Sequence, residues 1–178
     1  MIFHEDDTIL LRKYNHSDDL DMYACWQDIE TQKGYNFIFK ESFEEFKKFD
    51  IDRFPFWAAI VEKGNNANIG TVRLSPDGEC PDLAIWIYRE YRSRGFGTRA
   101  FALALKYCFA AFNLKFISAG CYQDNEKSIK MLKHIGFSHY PEYDTDEISE
   151  FTGEYVKQLE FRISSEAFHL EMKIATNR

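Results

Sequence analysis

The chain predicts an α/β fold of the α+β kind, a mainly antiparallel sheet with one parallel crossover. Two observations lead there. Apolar spacing switches between a period of two and one near 3.6, in the order strand, two helices, three strands, helix, strand, helix, strands. No repeat, low-complexity run or Pro/Gly-rich linker interrupts that order, so residues 1–178 read as one domain.

Residues 8–14 alternate as a first strand and give way to Ser17, Asp18 and Asp19, a helix start with a capping side chain and acids at the positive dipole end. Leu20, Tyr23 and Ala24 then share one helical face. A second helix is expected at Ser42, where Ser42 and Glu45 form a capping box ahead of Phe43, Phe46 and Phe49. Residues 56–62 and 68–74 read as a hairpin around the turn-forming residues 63–67. Residues 82–88 are the next strand. Residues 97–112 form a long, mostly apolar helix that must lie against the sheet. A strand over 115–122 and a helix over 124–134, closed by Gly136, follow. Further strands are expected after Phe137, with 159–164 the clearest, and the last dozen residues read as a helix or a frayed tail.

Composition narrows the function. Hydrophobic residues make up 45% and charged residues 29%, ordinary for a soluble globular protein. A net charge of −7 argues against a nucleic-acid binder and suits a cationic substrate such as an amine. The 17 Phe, 10 Tyr and 3 Trp supply core, and also walls for slots that hold flat or extended ligands. Cys25, Cys80, Cys108 and Cys121 lack metal-ligand spacing, so neither a metal nor a disulfide framework is expected. The acidic start and the absence of a long apolar run point to a cytoplasmic protein with no membrane partner. Exposed strand edges would allow a homodimer.

The most informative stretch is Tyr91-Arg92-Ser93-Arg94-Gly95-Phe96-Gly97-Thr98-Arg99-Ala100, between a strand and the long helix. Its glycines permit a tight turn, and a helix start offers unpaired N–H donors to an anion. Arg92, Arg94 and Arg99 add charge suited to a diphosphate. No P-loop pattern is present. A dinucleotide fingerprint, Gly95-x-Gly97-x-x-Ala100 with Asp124 beyond, is formally met. That fingerprint begins at its strand's end, however, and here residues 89–94 intervene.

The spacing Arg92, Gly95, Gly97 also resembles the acyl-CoA loop of the GNAT superfamily of N-acetyltransferases. Asn125, Ser128 and the Gly136-Phe137 pair resemble that superfamily's late helix, and residues 82–87 its strand ahead of the loop. Ile9-Leu10-Leu11-Arg12 with Asp18 resembles the branch that acetylates N-terminal alanines of ribosomal proteins. The resemblance runs from about Thr8 to Phe137.

It implies a GNAT-type sheet with helices on both faces, acetyl-CoA as cosubstrate, no metal, and direct transfer to an amine. The backbone of Ile85, Trp86 and Ile87 would pair with the pantetheine arm and polarise the thioester carbonyl. Arg92, Arg94, Gly95, Phe96, Gly97, Thr98 and Arg99 would grip the pyrophosphate. Asn125 would bond the pantetheine arm or cap its helix, with Ser128 one turn on. Asp82 takes the place of the strand glutamate that serves relatives as base. Many relatives carry a tyrosine as acid where this chain has Leu132, which shifts that role to Ser128, with Tyr122 behind it. The acid-rich residues 142–154 are a candidate amine pocket or a solvated face. An acyl-CoA-binding sensor without turnover is the alternative function, and nicotinamide binding a third.

Overall fold

The computed structural model describes residues 1–76 and 78–176, with side chains described through residue 170. Strands β1 (Ile2–Glu5), β2 (Ile9–Lys13), β3 (Phe56–Glu62), β4 (Ala67–Leu74) and β5 (Leu83–Ile87) form one antiparallel sheet in that spatial order. A second antiparallel sheet pairs β6 (Phe116–Tyr122), β7 (Ser138–His139) and β8 (Thr145–Ile148) with β9 (Tyr155–Ser164).

The sheets meet at one parallel bridge, Asp82 to Ser118. There Ser118 N–H donates to the Pro81 carbonyl at 3.0 Å. Two residues on, the Gly120 N–H finds the Asp82 carboxylate at 3.2 Å instead of the β5 backbone. Beyond that point β5 and β6 part. The expected parallel crossover is therefore reduced to its root, and a gap opens past it.

Helices cover both faces. The alternation of β3 sends Phe56, Ala58 and Ile60 to one side and Trp57 to the other. Being buried on both faces, β3 is a near-continuous apolar run. On the first face lies α4 (Phe96–Phe112), with Ala100, Phe101, Ala104, Leu105 and Cys108 sunk into the core. Leu132 and Ile135 of α5 (Glu126–Ile135) and Phe168 of α6 (Ser165–Thr176) complete that cluster. On the second face α1 (Asp19–Gln27), α2 (Ile29–Tyr35) and α3 (Phe43–Phe46) gather around Tyr14, Met22, Trp57, Trp86 and Tyr88.

Several expectations change. The buried residues of α1 are Asp19, Met22 and Cys25, whereas Leu20 is 64% exposed and Ala24 also faces water. Asp19 can be buried because it accepts from the Tyr14 hydroxyl at 2.8 Å and pairs with His16. The cap at that turn is Asn15, not Ser17. The Ser42–Glu45 capping box forms, but its helix spans four residues only. Both β1 and α2 are additions to the element order read from sequence. The chain closes in a helix, α6, with residues 177 and 178 outside the described region.

Candidate active site

The loop after β5 makes a short 3-10 turn at Arg89–Tyr91, then takes Ser93 (φ 60°) and Gly95 (φ 81°) through the left-handed region. Such alternation aims successive N–H groups at a common point. Gly95 is the N-cap of α4, and no side chain among the described residues caps that helix. The first amide with an intrahelical acceptor is Arg99, which donates to Gly95 O at 3.3 Å. Helix geometry thus leaves the amides of Phe96, Gly97 and Thr98 for a ligand. Phe96's ring is buried in the core, so only its backbone faces this role. A Cβ at Gly97 would sit 3.5 Å from Met131 Sδ and 3.6 Å from Ile87, which puts Gly97 between β5 and α5.

The arginines are placed differently from the sequence expectation. Arg92 turns inward: Nε donates to Ile87 O at 2.9 Å, and the guanidinium binds Asp28, Glu30 and Thr31 of the α2 start at 2.7–3.1 Å. Arg99 is drawn to Asp6 and Asp7 at 3.0 and 3.2 Å, away from the cleft. Arg94 is half-exposed over the Tyr91 and Phe96 rings, 3.5 Å from Glu62. Arg92 still borders the cleft, and beside it stand Lys127, Lys130 and His134 on α5. Their i, i+3, i+7 spacing was visible in the sequence and is the signal that marks them.

The gap between β5 and β6 widens into a cleft of about 1120 Å³. Tyr88 N–H donates to Ile69 O on the β4 side, and Asp82 O accepts from Ser75 N–H. Strand alternation then points the backbone of Ile85 and Ile87 into the gap and that of Trp86 toward Thr71 of β4. Ile85 and Ile87 can offer N–H groups to a guest; Trp86 cannot, and contributes its ring to the cleft wall instead. The Ile85 carbonyl accepts from the hydroxyl of Tyr35, 2.5 Å away, whose ring stacks on Trp86 with centroids 5.0 Å apart. Tyr35 sits at the end of α2, an element without a strong sequence signal, and was not anticipated.

Asp82 stands where the strands part and lines the cleft. Burial pushes its carboxyl up to about 6, against the Gly120 N–H that steadies the ionised form. Glu160 on the facing strand raises it further, and Arg73 opposes. A carboxylate of that kind is matched to accepting a proton near neutrality. Asn125 caps α5, its Oδ1 accepting from Ser128 N at 3.1 Å, while both residues line the cleft. The Tyr122 hydroxyl is bound to Glu147 at 2.6 Å, and burial together with that carboxylate pushes its pKa up. Leu132 is buried in the core, so no hydroxyl stands at that position. The four cysteines are free, and among the described residues no cluster of three His, Cys, Asp or Glu side chains is disposed to hold a metal. No described helix is long and apolar enough to cross a membrane.

The central sheet thus splits beside an uncapped, glycine-led helix start, and the comparisons with known proteins say which class of protein has this fold. Residues 8–138 match the acetyltransferase (GNAT) domain family, and the chain belongs to that family of N-acetyltransferases. Among curated proteins it is 24% identical over 147 residues to the uncharacterized N-acetyltransferase YoaA of Bacillus subtilis, covering 75% of this chain and 81% of that one. Among solved structures, the spermidine N-acetyltransferase from Vibrio cholerae in complex with CoA and spermine aligns with a TM-score of 0.80 at 18% identity, over 92% of this chain and 99% of that one. A ribosomal-protein-S5-alanine acetyltransferase from Vibrio fischeri aligns with a TM-score of 0.76 at 20% identity, over 94% and 98%. At such identities the structural likeness speaks for the fold.

Proposed function

We propose that the protein transfers the acetyl group of acetyl-CoA directly to a primary amine. The observation that carries this reading is the position of two features on one cleft: unpaired amides at the α4 start and a base-tuned Asp82 at the root of the strand split. The pyrophosphate would lie on the amides of Phe96, Gly97 and Thr98, with Lys127 and Lys130 supplying the charge that Arg92 and Arg99 spend elsewhere. The pantetheine arm would follow the free edge of β5. Its acyl carbonyl would meet the N–H of Ile85 or Ile87, donors already fixed in place.

An alkyl ammonium is inert toward a thioester, so a proton must leave it first. Asp82 would take that proton, directly or through a water. The amine nitrogen then bonds to the acetyl carbon, the C–S bond breaks, and the thiolate is protonated, for which Ser128 is the hydroxyl on the facing helix. An assay of free-thiol release from acetyl-CoA across a diverse amine panel tests the proposal. Amine-dependent release is expected. CoA binding without release from any amine would favour the sensor reading.

A further inference from the structure

Next to the β5 residues that line the cleft stands a cation, Arg73, that the chemistry above does not use. In the registers of β3, β4 and β5, Trp57 opposes Arg73 and Arg73 opposes Ala84. Directly opposed residues share a sheet face, so these three side chains stand in a row. Along β5 the same face carries Asp82 and Trp86, two residues to either side of Ala84. Asp82, Ala84 and Trp86 all line the cleft. The alanine methyl is the low point, or recess, of that row; Arg73 stands opposite it on the next strand, behind the residues that line the cleft.

The Arg73 guanidinium is held by rings. Its carbon lies 4.2 Å from the Phe54 centroid, 5.0 Å from Trp57 and 5.1 Å from Trp86. Aromatic contacts engage the faces of a guanidinium and leave its N–H edge for an in-plane partner. Among the described residues Arg73 makes neither an ion pair nor a hydrogen bond with any side chain. Burial draws its pKa down to about 10, so it keeps its charge at neutral pH although half-buried. Asp82, on the diagonal position, is occupied by the Gly120 N–H. A cation built in this way is a receptor for a planar oxyanion.

We infer that the acceptor is an amine that also bears a carboxylate, with Arg73 anchoring the carboxylate while the amine sits at Asp82. Diagonal cross-strand positions lie about 7–8 Å apart in the backbone, near enough for one small molecule to meet both side chains. A polyamine would instead bring a second cation against Arg73. This inference rests on the proposed acetyl transfer and narrows its substrate.

The test compares amino acids with their own carboxamides, alongside spermidine and an aminoalkyl phosphate. Thiol release and quenching of Trp57 and Trp86 fluorescence in CoA-loaded protein are both read. Carboxylate members are expected to exceed their carboxamides by about 10–100-fold in kcat/KM, the worth of a charge-assisted hydrogen bond. Arg73→Gln should bring that ratio to about one, Arg73→Lys should retain part of it, and Ala84→Leu should close the recess while CoA still binds. Equal use of carboxamides, preference for spermidine or the phosphate, or equal losses for all amines in Arg73→Gln would overturn the inference. If no thiol is released yet carboxylates quench the wild type and not Arg73→Gln, acetyl transfer fails and the anionic subsite stands. Absence of both responses removes the subsite as well.

Discussion

Along the edge of β5 the cleft changes character. Toward α4 and α5 it is made of regular elements, and its working groups are backbone amides: the uncapped start of α4 and the N–H groups of Ile85 and Ile87. Toward α1–α3 its groups are side chains, where Tyr35 stacks on Trp86 and the rings of Phe54, Trp57 and Trp86 surround Arg73. On the proposed reading, the backbone donors would recognise a part common to every acyl-CoA. A side-chain pocket recognises whatever those particular side chains fit. The coenzyme half would therefore tolerate substitution of Arg94 and resist added bulk, and the acceptor half would depend on its side chains.

Substitutions can break or sharpen that contrast. The largest effect is expected from Asp82→Asn, a loss of about 10²–10⁴ in kcat for removal of a general base. With the wild-type carboxyl pushed up to about 6, the base is protonated and idle below that value and competent above it. The kcat/KM profile should rise with pH through about 6, and the variant should lack that limb. A wild-type profile flat across that region would move the base elsewhere. Ser128→Ala should lower kcat by on the order of 10², the lower end for a positioned proton donor. Normal turnover under chemistry-limited conditions would remove Ser128 from the mechanism.

Gly97→Val tests the backbone half. A Cβ at 97 meets only ordinary contacts at 3.5 and 3.6 Å, so a companion Gly97→Ala variant should keep its melting temperature and serve as the control for fold. In Gly97→Val the affinity for CoA should fall about tenfold or more, as one phosphate hydrogen bond carries about 1.5–3 kcal/mol. An unchanged Kd would place the phosphates elsewhere. The smallest effect is expected from Arg94→Ala, whose half-exposed ion pair with Glu62 is worth under about 1 kcal/mol. A loss in CoA affinity as large as that of Gly97→Val would mean that the loop works by side-chain charge after all.

The same division governs how much could be read in advance. The elements β3, β4, β5, β6, α4 and α5 lie within two residues of their sequence boundaries, because periodicity agrees there with start and stop signals such as Asn125 and Gly136. The glycine turn was legible because its backbone conformation demands glycine at position 95. Its arginines were not, because charge says nothing about direction. Arg92 finds Asp28 from 64 residues away, and Arg99 finds Asp6 from 93. The α2 helix escaped notice because Thr31, Gln32, Lys33 and Gly34 show no apolar stripe, yet it brings Tyr35 to the site. The buried face of α1 was misjudged because hydrogen bonds from Tyr14 and His16 let an aspartate take a core position. Nothing in the sequence sets Arg73 apart, because the rings of Phe54, Trp57 and Trp86 meet on it only in the fold.

The most direct measurement is an amide NMR titration of the protein with CoA. Binding through the α4 start predicts that the largest shifts fall on Gly95, Phe96, Gly97 and Thr98, followed by Ile85 and Ile87 at the strand edge. Saturable CoA binding that leaves the resonances of residues 95–98 unmoved would contradict the account.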